Sequence, residues 1–160
     1  MNDKSYRKNV GLIVLNSRNQ LLICQRKDQK TWQFPQGGID AGESPKVAAR
    51  RELFEEVGIG KNDVSIIKES VHWYPYDLPK KYQNRSDSMK KFKGQTQKWF
   101  MLKANIELEI NLLNQMPQEF VAYQWVSFWY PLSHIVSFKK DVYLSVLNEF
   151  LPAYIEIAHG

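Results

Sequence analysis

The sequence predicts a mixed α/β domain in which helices pack on a sheet. Short apolar runs rich in β-branched residues alternate with polar turns, as in strands. Two other segments repeat their apolar residues at spacings of three and four, as in amphipathic helices. The chain has 160 residues, of which 43% are hydrophobic, and it shows no internal repeat or linker. We therefore expect one domain over residues 1–160.

The chain begins with two predicted strands and a loop. Residues 9–16 (NVGLIVLN) and 20–26 (QLLICQR) are apolar runs joined by the polar sequence SRN, which is typical of an antiparallel pair. Residues 31–44 (TWQFPQGGIDAGES) contain one proline and three glycines among polar residues, so we expect a loop here. Loops of this composition often line functional sites.

The first helix has clear boundaries. Ser44 can cap its N-terminus, Pro45 suits its first turn, and the helical pattern continues up to Gly58. The residues that carry this pattern are Val47, Ala48, Arg51, Leu53 and Phe54.

The sequence pattern of the second half of the chain predicts three strands followed by a helix. Residues 64–74, 95–104 and 122–129 have the composition of strands, and a short helical turn follows near Pro131. The last helix starts around Lys139, and its apolar residues lie on one face: Val142, Tyr143, Val146, Leu147 and Phe150. We expect Pro152 to kink or end this helix.

Positive charge is concentrated in one segment. The chain has 22 basic and 17 acidic residues and a formal net charge of +5. Residues 77–98 contain seven basic and two acidic residues, so this segment alone accounts for the surplus. It lies between predicted strands and lacks periodicity, so we expect a long loop. A solvated loop and a surface for a polyanion are about equally compatible with it.

The sequence favours a cytoplasmic protein that does not associate with membranes. The single cysteine, Cys24, lies in an apolar run and cannot form an internal disulfide, which points to a reducing compartment and a core position. There is no apolar stretch near 18 residues, and the N-terminal sequence MNDKSYRKN lacks the hydrophobic segment of a secretory signal.

An acidic cluster in the first helix raises the question of a metal ion. Glu52, Glu55 and Glu56 are three and four residues apart, so their side chains share an arc of roughly 100° and repel one another. A solvated acidic face is the ordinary explanation for such a cluster. The alternative is a bound Mg²⁺ or Mn²⁺, for which carboxylate oxygens are suitable ligands.

The sequence around this cluster resembles a known motif. In GGIDAGESPKVAARRELFEEVGI, Gly37 is followed after five residues by Glu43 and after seven more by RELFEEVGI. This segment resembles the Nudix box in every defining position. The resemblance implies an α/β/α sandwich with a mixed sheet between helices, in which the box forms loop, helix and loop. It also implies a divalent metal cofactor, Mg²⁺ or Mn²⁺.

Further segments extend the resemblance over almost the whole chain. YRKNVGLIVLN, WQFPQGGI, GQTQKWF, PQEF, VSFWYP and VSFKKDVY are similar to the bacterial RNA pyrophosphohydrolase branch of the Nudix superfamily. That branch implies a metal-dependent enzyme that converts 5′-triphosphorylated RNA to 5′-monophosphorylated RNA and so initiates RNA decay. A hydrolase of dinucleoside polyphosphates, such as diadenosine tetra- or pentaphosphate, is the alternative enzyme. A non-catalytic module that binds nucleotides or RNA ends is the alternative from another class.

The resemblance also implies roles for individual residues. Four carboxylates would bind the metal and act in catalysis: Glu52, Glu55, Glu56 and Glu119. Of these, Glu52 and Glu119 are the candidate general bases. Substrate would be held by Arg7, Thr31, Tyr76, Gln95 and Lys139 at the polyphosphate and by Arg26 and Phe138, which would stack on the base. Structural support would come from Gly37, Gly38, Glu43, Arg51 and Gly58, with Glu43 paired to Arg51.

Two groups of residues stand apart from these assignments. Trp32, Phe34 and Trp99 are expected to be packing residues that shape the site. The sequence SDSMKKFK within the basic segment follows no pattern of the family, so we expect only general electrostatic attraction to RNA from it.

Overall fold

A sheet of eight strands forms the centre of the computed structural model, which describes residues 5–80, 92–135 and 137–160. The strands are β1 (Ser5–Leu15), β2 (Leu21–Arg26), β3 (Trp32–Gln33), β4 (Gln36–Gly38), β5 (Val64–Glu69), β6 (Tyr74–Asp77), β7 (Phe92–Ala104) and β8 (Phe120–Val126). The helices delimited within these ranges are α1 (Pro45–Val57) and α2 (Lys140–His159), with 3₁₀ turns at Tyr130–Ser133 and Ser137–Lys139.

The strand pairing makes the sheet mixed, as the sequence predicts. The main path of the sheet runs β3-β2-β1-β7-β5, while β4 pairs with β1, β6 with β7 and β8 with β2. β1 and β7 are parallel, and the other pairs are antiparallel. β1 and β2 meet only at Leu15 and Leu21 and then separate. β4 pairs with β1 near this separation, which places the glycine-rich segment beside the centre of the sheet.

The two helices pack on opposite faces of the sheet. Side chains alternate along a strand, so Val10 and Leu12 of β1 join the core beneath α1, whereas Ile13 and Leu15 join the core beneath α2. Both cores are fully apolar at their centres, and Cys24 is buried in the core on the α1 side. The predicted α/β/α sandwich is confirmed.

Local signals set the ends of α1 where the sequence predicts them. The Ser44 hydroxyl accepts a hydrogen bond of 3.2 Å from the backbone N–H of Val47. Gly58 ends the helix in the left-handed region at φ 74°, and its N–H donates to the Phe54 carbonyl oxygen. Glycine adopts this conformation without a steric cost, which explains why the helix stops there.

The second helix differs from its prediction at its C-terminal end. Pro152 lies inside α2, which continues to His159, so the expectation that the helix could end at Pro152 is wrong. Proline removes one backbone donor within a helix. Residues beyond it, Tyr154 and Ile157, pack against the core on the α2 side. The burial of these apolar groups offsets the lost hydrogen bond. In the described ranges, no helix is both long and apolar enough to cross a membrane.

The predicted strand over residues 64–74 is divided into β5 and β6. The division lies at Ser70, whose N–H donates to the Trp99 carbonyl oxygen while its hydroxyl donates to the carbonyl oxygen of His72. The Trp99 N–H donates in turn to the Ser70 hydroxyl oxygen. A single buried serine therefore turns the chain, and sequence composition gave no sign of this bend.

Two predicted loops also contain strand residues. The segment 31–44 includes the short strands β3 and β4, because its backbone groups pair with β2 and β1. The basic segment 77–98 begins at the end of β6 and finishes within β7. Its central residues 81–91, and with them most of SDSMKKFK, lie outside the described residues.

Candidate active site

A cavity of about 440 Å³ lies where α1, the strands beside β4 and the start of α2 meet. The structure brings most of the predicted site residues to its lining: Arg7, Arg26, Gly37, Gly38, Arg51, Glu52, Glu55, Glu56, Tyr76, Gln95, Glu119, Phe138 and Lys139. Three predicted residues are outside the lining: Thr31, Glu43 and Gly58. The cavity thus joins an acidic wall (Glu52, Glu55, Glu56 and Glu119) to a basic wall (Arg7, Arg26 and Lys139).

The acidic wall places negative charge where water has little access. The side of α1 that faces the sheet carries Glu52, which is 7% exposed, and Glu56, which is 3% exposed. Burial raises the pKa of Glu56 well above its ordinary value, and the nearby charges of Glu119 and Glu52 raise it further. Within the described residues, Oε2 of Glu56 is buried and has no hydrogen-bond partner.

Arg51 ties the acidic wall to the glycine-rich loop. Its Nε lies 2.8 Å from Oε2 of Glu43 and its Nη2 lies 2.9 Å from Oε1, a bidentate pair that the sequence led us to expect. The same guanidinium donates to Glu52 at 2.9 Å, to Glu55 at 3.2 Å and to the Gly38 carbonyl oxygen at 2.9 Å. The Arg51 hydrogen bonds lower the pKa of Glu43 to about 2.

Burial and Arg51 act in opposite directions on Glu52. Burial raises the pKa of Glu52, whereas the hydrogen bond and charge of Arg51 lower it, and the raised direction prevails. Gly37 is essential to this placement, because a Cβ at that position would lie only 2.0 Å from the carboxyl carbon of Glu52. A larger residue at position 37 would therefore displace the Glu52 carboxylate.

The donor set of the acidic wall fits a hard divalent cation. Its groups are carboxylate oxygens, the ligands that Mg²⁺ and Mn²⁺ prefer, and Oε2 of Glu56 is a buried oxygen that lacks a partner in the described part of the chain. Glu52 and Glu55 are turned toward Arg51 in this structure, and in the described residues no three acidic, His or Cys side chains converge on one point. A cation would compete with the Arg51 guanidinium for these oxygens.

Glu119 reaches the cavity from the segment that precedes β8. The backbone N–H of Lys27 donates to the Glu119 carbonyl oxygen at 2.8 Å, which fixes this segment against the end of β2. The pairing of β2 with β8 shifts its register between Gln25 and Arg26. Such a bulge redirects side chains, and here both Arg26 and Glu119 line the cavity.

The basic wall is built differently at Arg26 and at Lys139. Burial lowers the pKa of Arg26, but two hydrogen bonds of 2.9 and 3.1 Å to the carboxylate of Asp28 outweigh this, and the net direction is upward. Lys139 is only 6% exposed, and burial together with the charge of Arg26 lowers its pKa to about 7. Its Nζ donates to the side-chain oxygens of Gln33 and Gln36.

Aromatic and amide groups cover the part of the cavity near Lys139. The ring centroids of Tyr76 and Phe138 are 5.9 Å apart with planes tilted by 39°. The Tyr76 hydroxyl and the Asn9 side-chain amide both donate to Oε1 of Gln95 at 2.6 Å. Arg26 and Phe138 both line the cavity, and the stacking of a base between them stays a prediction.

The remaining residues named from the sequence have clear positions. Thr31 lies beside the cavity lining, where its carbonyl oxygen accepts a hydrogen bond of 2.8 Å from the Arg26 N–H. Phe34 and Trp99 are fully buried and contact each other edge to face at 5.7 Å, so their role in packing is confirmed. Trp32 is half-buried and packs against the same core.

Sequence reasoning missed the carboxamides of the cavity other than Gln95. Asn9, Gln33 and Gln36 line it, and Gln97 lies directly behind Gln36. Asn9, Gln33 and Gln97 are at most 2% exposed. Polar residues within otherwise apolar strands are a usable signal for such positions, because buried amides require partners.

Comparison with known proteins places the chain in a family. A model of the NUDIX domain matches residues 5–144. The chain belongs to the NUDIX family. The site above therefore lies in a NUDIX domain, and the acidic residues of α1 line its cavity.

Curated relatives of this NUDIX chain extend over nearly all of it. An RNA pyrophosphohydrolase of Aliivibrio fischeri is 49% identical over 146 residues, which cover 91% of this chain and 85% of that protein. An RNA pyrophosphohydrolase of Yersinia enterocolitica is 44% identical over 158 residues, which cover 98% of this chain and 90% of that protein.

Solved structures share the NUDIX fold at lower identity. A binary complex of the C. elegans Ap4A hydrolase has a TM-score of 0.69 at 21% identity and covers 94% of this chain and 98% of that one. The E. coli dihydroneopterin triphosphate pyrophosphohydrolase has a TM-score of 0.72 at 20% identity and covers 91% and 99%. These similarities establish the fold.

Proposed function

We propose that this chain is a metal-dependent hydrolase that converts 5′-triphosphorylated RNA to 5′-monophosphorylated RNA and so initiates RNA decay. Relatives named RNA pyrophosphohydrolase at 44% to 49% identity over most of the chain support this activity. The structural observation that carries it is the cavity itself, in which an acidic wall faces a basic wall. The basic wall offers cations to the phosphate oxygens, and a divalent cation bound by the acidic wall would contact further oxygens of the same polyphosphate.

The acidic wall would hold Mg²⁺ or Mn²⁺ through Glu52, Glu55, Glu56 and Glu119. When bound, the cation would neutralise non-bridging phosphate oxygens and make the attacking water more acidic. Glu52 or Glu119 would accept the proton of that water, and the raised pKa of Glu52 suits proton transfer near neutral pH. The water oxygen bonds to phosphorus while a phosphoanhydride P–O bond breaks. Pyrophosphate leaves in one step, or phosphate in each of two successive steps, and the RNA retains one phosphate.

The basic wall would hold and orient the substrate. Lys139 and Arg7 would bind phosphate oxygens as cations, and hydroxyl and amide groups would add donors: Tyr76, Gln95 and Thr31. Arg26 and Phe138 would stack on the first base, since every base has a π-face. The cavity thus offers positive charge to the triphosphate and flat groups to the nucleoside.

Support for the acidic wall would come from residues of the box that do not touch the substrate. Glu43 and Arg51 hold the loop on the helix, and Gly37, Gly38 and Gly58 allow the close approach and the helix end. We also propose a cytoplasmic location, which agrees with the single, buried cysteine.

The test is an assay with end-labelled 5′-triphosphorylated RNA, with Mg²⁺ and with a chelator in its place. We expect Mg²⁺-dependent release of pyrophosphate or of successive phosphates, and an RNA product with a 5′-monophosphate. Diadenosine tetraphosphate is then added as a competing substrate. A much larger kcat/KM for the dinucleotide would replace the RNA assignment, and binding of either ligand without turnover would indicate a non-catalytic module.

A further inference from the structure

We propose that Gln33 and Gln36 are positioning residues for Lys139. Their amide oxygens hold the Lys139 ammonium group at the cavity surface and leave its positive charge uncancelled for the polyphosphate. The inference rests on the proposed function in one respect, because it takes an anionic phosphate chain as the ligand of Lys139.

Lys139 is held from two separate strands. Its Nζ lies 2.9 Å from Oε1 of Gln33 on β3 and 3.4 Å from Oε1 of Gln36 on β4. Both the lysine and Gln33 are nearly buried, at 6% and 2% exposure. A long, flexible side chain would otherwise lose its direction in the cavity, so two acceptors on rigid strands fix where its charge lies.

Gln36 is itself held between the two walls. The side-chain N–H of Gln97, which is 1% exposed on β7, donates to Oε1 of Gln36 at 3.1 Å. The backbone N–H of Gln36 lies near the carboxylate of Glu56 on α1, where it favours the charged form. One residue of β4 therefore contacts the acidic wall with its backbone and the lysine with its side chain, which fixes the spacing of these groups.

The choice of amides over carboxylates has a chemical reason. An ammonium group has three N–H donors, and the two amides accept two of them, which leaves one for a phosphate oxygen. A carboxylate at either position would form an ion pair and cancel the charge that attracts the substrate. Amide oxygens direct the ammonium group without adding a negative charge that would cancel its own.

The surroundings of Lys139 make these two oxygens important. The groups that face it are the rings of Tyr76 and Phe138, with centroids 5.9 and 5.8 Å from Nζ, and the charges of Arg26, Asp28 and Glu56. Burial and Arg26 disfavour the charged form, whereas Glu56 and Asp28 favour it from a distance. Hydrogen bonds from Nζ to Gln33 and Gln36 also favour it.

The test uses substitutions at Gln33 that change the acceptor and conserve the volume. Gln33→Met removes the oxygen, and Gln33→Glu replaces it with a charged one. Two properties are measured: the titration of Lys139 by NMR of its labelled ε-methylene group in the free protein, and KM for triphosphorylated RNA. Gln36→Met is the second variant, because Gln36 is less buried and is less important for folding. Gln124→Met, on the exposed face of β8, is the matched control.

We expect the pKa of Lys139 to fall in Gln33→Met and to rise in Gln33→Glu, with the control unchanged. KM should rise about tenfold or more in both Gln33 variants. Gln33→Met removes a hydrogen bond that orients the Lys139 ammonium group, and Gln33→Glu cancels the charge of that group. In a Lys139→Met background, Gln33→Met should change KM by less than twofold.

Two results would overturn the inference. One is a Lys139 titration that does not move in the Gln33 and Gln36 variants, and the other is an equally large change of KM in the Lys139→Met background. Failure of the proposed function would look different, because the wild-type protein would then not hydrolyse triphosphorylated RNA, while the NMR titration would still report on Lys139.

Discussion

The two walls of the cavity treat buried charge in opposite ways. On the acidic wall, the nearly buried carboxylates Glu52 and Glu56 are neighbours of like charge. Of these two, in the described residues, Arg51 forms an ion pair with Glu52 alone. On the basic wall, Lys139 is equally buried but donates to the neutral amides of Gln33 and Gln36. In the described residues, Lys139 therefore has no carboxylate partner in an ion pair and Glu56 has no cationic one. A cation on one side and a polyphosphate on the other would compensate both.

The largest effects should come from removing charge on the acidic wall. Glu52→Gln, Glu55→Gln and Glu56→Gln should each lower turnover of triphosphorylated RNA by about 100-fold or more, because each would remove a ligand of the proposed metal ion. Turnover is measured at saturating Mg²⁺, with the exposed Glu109→Gln as the control. Unchanged turnover in all three variants would show that the acidic wall does not bind the catalytic metal.

A smaller effect should come from Arg26 and Phe138, the two groups that we expect to stack on the base. Arg26→Ala and Phe138→Ala should each raise KM for triphosphorylated RNA by about tenfold, since stacking of one base contributes about 1–3 kcal/mol. The effect on a nucleoside triphosphate with no further RNA should be smaller. Tyr123→Ala, an exposed aromatic residue of β8, is the control. Equal losses on both substrates would remove the stacking role.

The acidic wall should also show its repulsion in stability. In the absence of divalent cations, Glu56→Gln should raise the free energy of unfolding by about 1 kcal/mol at pH 7, because glutamine avoids the cost of burying a carboxyl group whose charged form is disfavoured by burial and by Glu119 and Glu52. Urea unfolding in the presence of a chelator measures this. A variant less stable than wild type would mean that the Glu56 charge is compensated within the protein.

The smallest expected effect concerns the pair that supports the acidic wall. Arg51 lowers the pKa of Glu43 to about 2 from an ordinary value near 4.5, so the pair stabilises the fold above about pH 4.5 and this contribution is lost as the pH falls toward 2. Glu43→Gln should lower the free energy of unfolding by about 1 kcal/mol at pH 7. The difference from wild type should disappear near pH 2, and a difference that persists there would exclude the ion pair as its cause.

Features with local signals could be predicted from the sequence. The cap of Ser44 and the glycine at position 58 define α1 because they act on the adjacent turn. The pairing of Glu43 with Arg51, which the family resemblance implied, joins two residues that are close in the sequence. The spacing of Glu52, Glu55 and Glu56 by three and four residues predicted that these carboxylates share one face of α1.

Features that depend on tertiary contacts could not be predicted. Gln33, Gln36 and Gln97 come from three strands and meet only when the sheet forms, and a neutral amide gives no charge signal. The continuation of α2 through Pro152 depends on the core beneath Tyr154, and the bend at Ser70 depends on its contacts with Trp99. Packing overrides local preference at each of these positions.

Titration of the protein with Mg²⁺ or Mn²⁺ by calorimetry, with a non-hydrolysable nucleotide triphosphate present, tests the central claim most directly. We expect wild-type protein to bind divalent cation and Glu56→Gln to bind it at least tenfold more weakly. Cation binding that is absent in the wild type, or that is equally strong in the variant, would contradict the assignment of the acidic wall as the metal site.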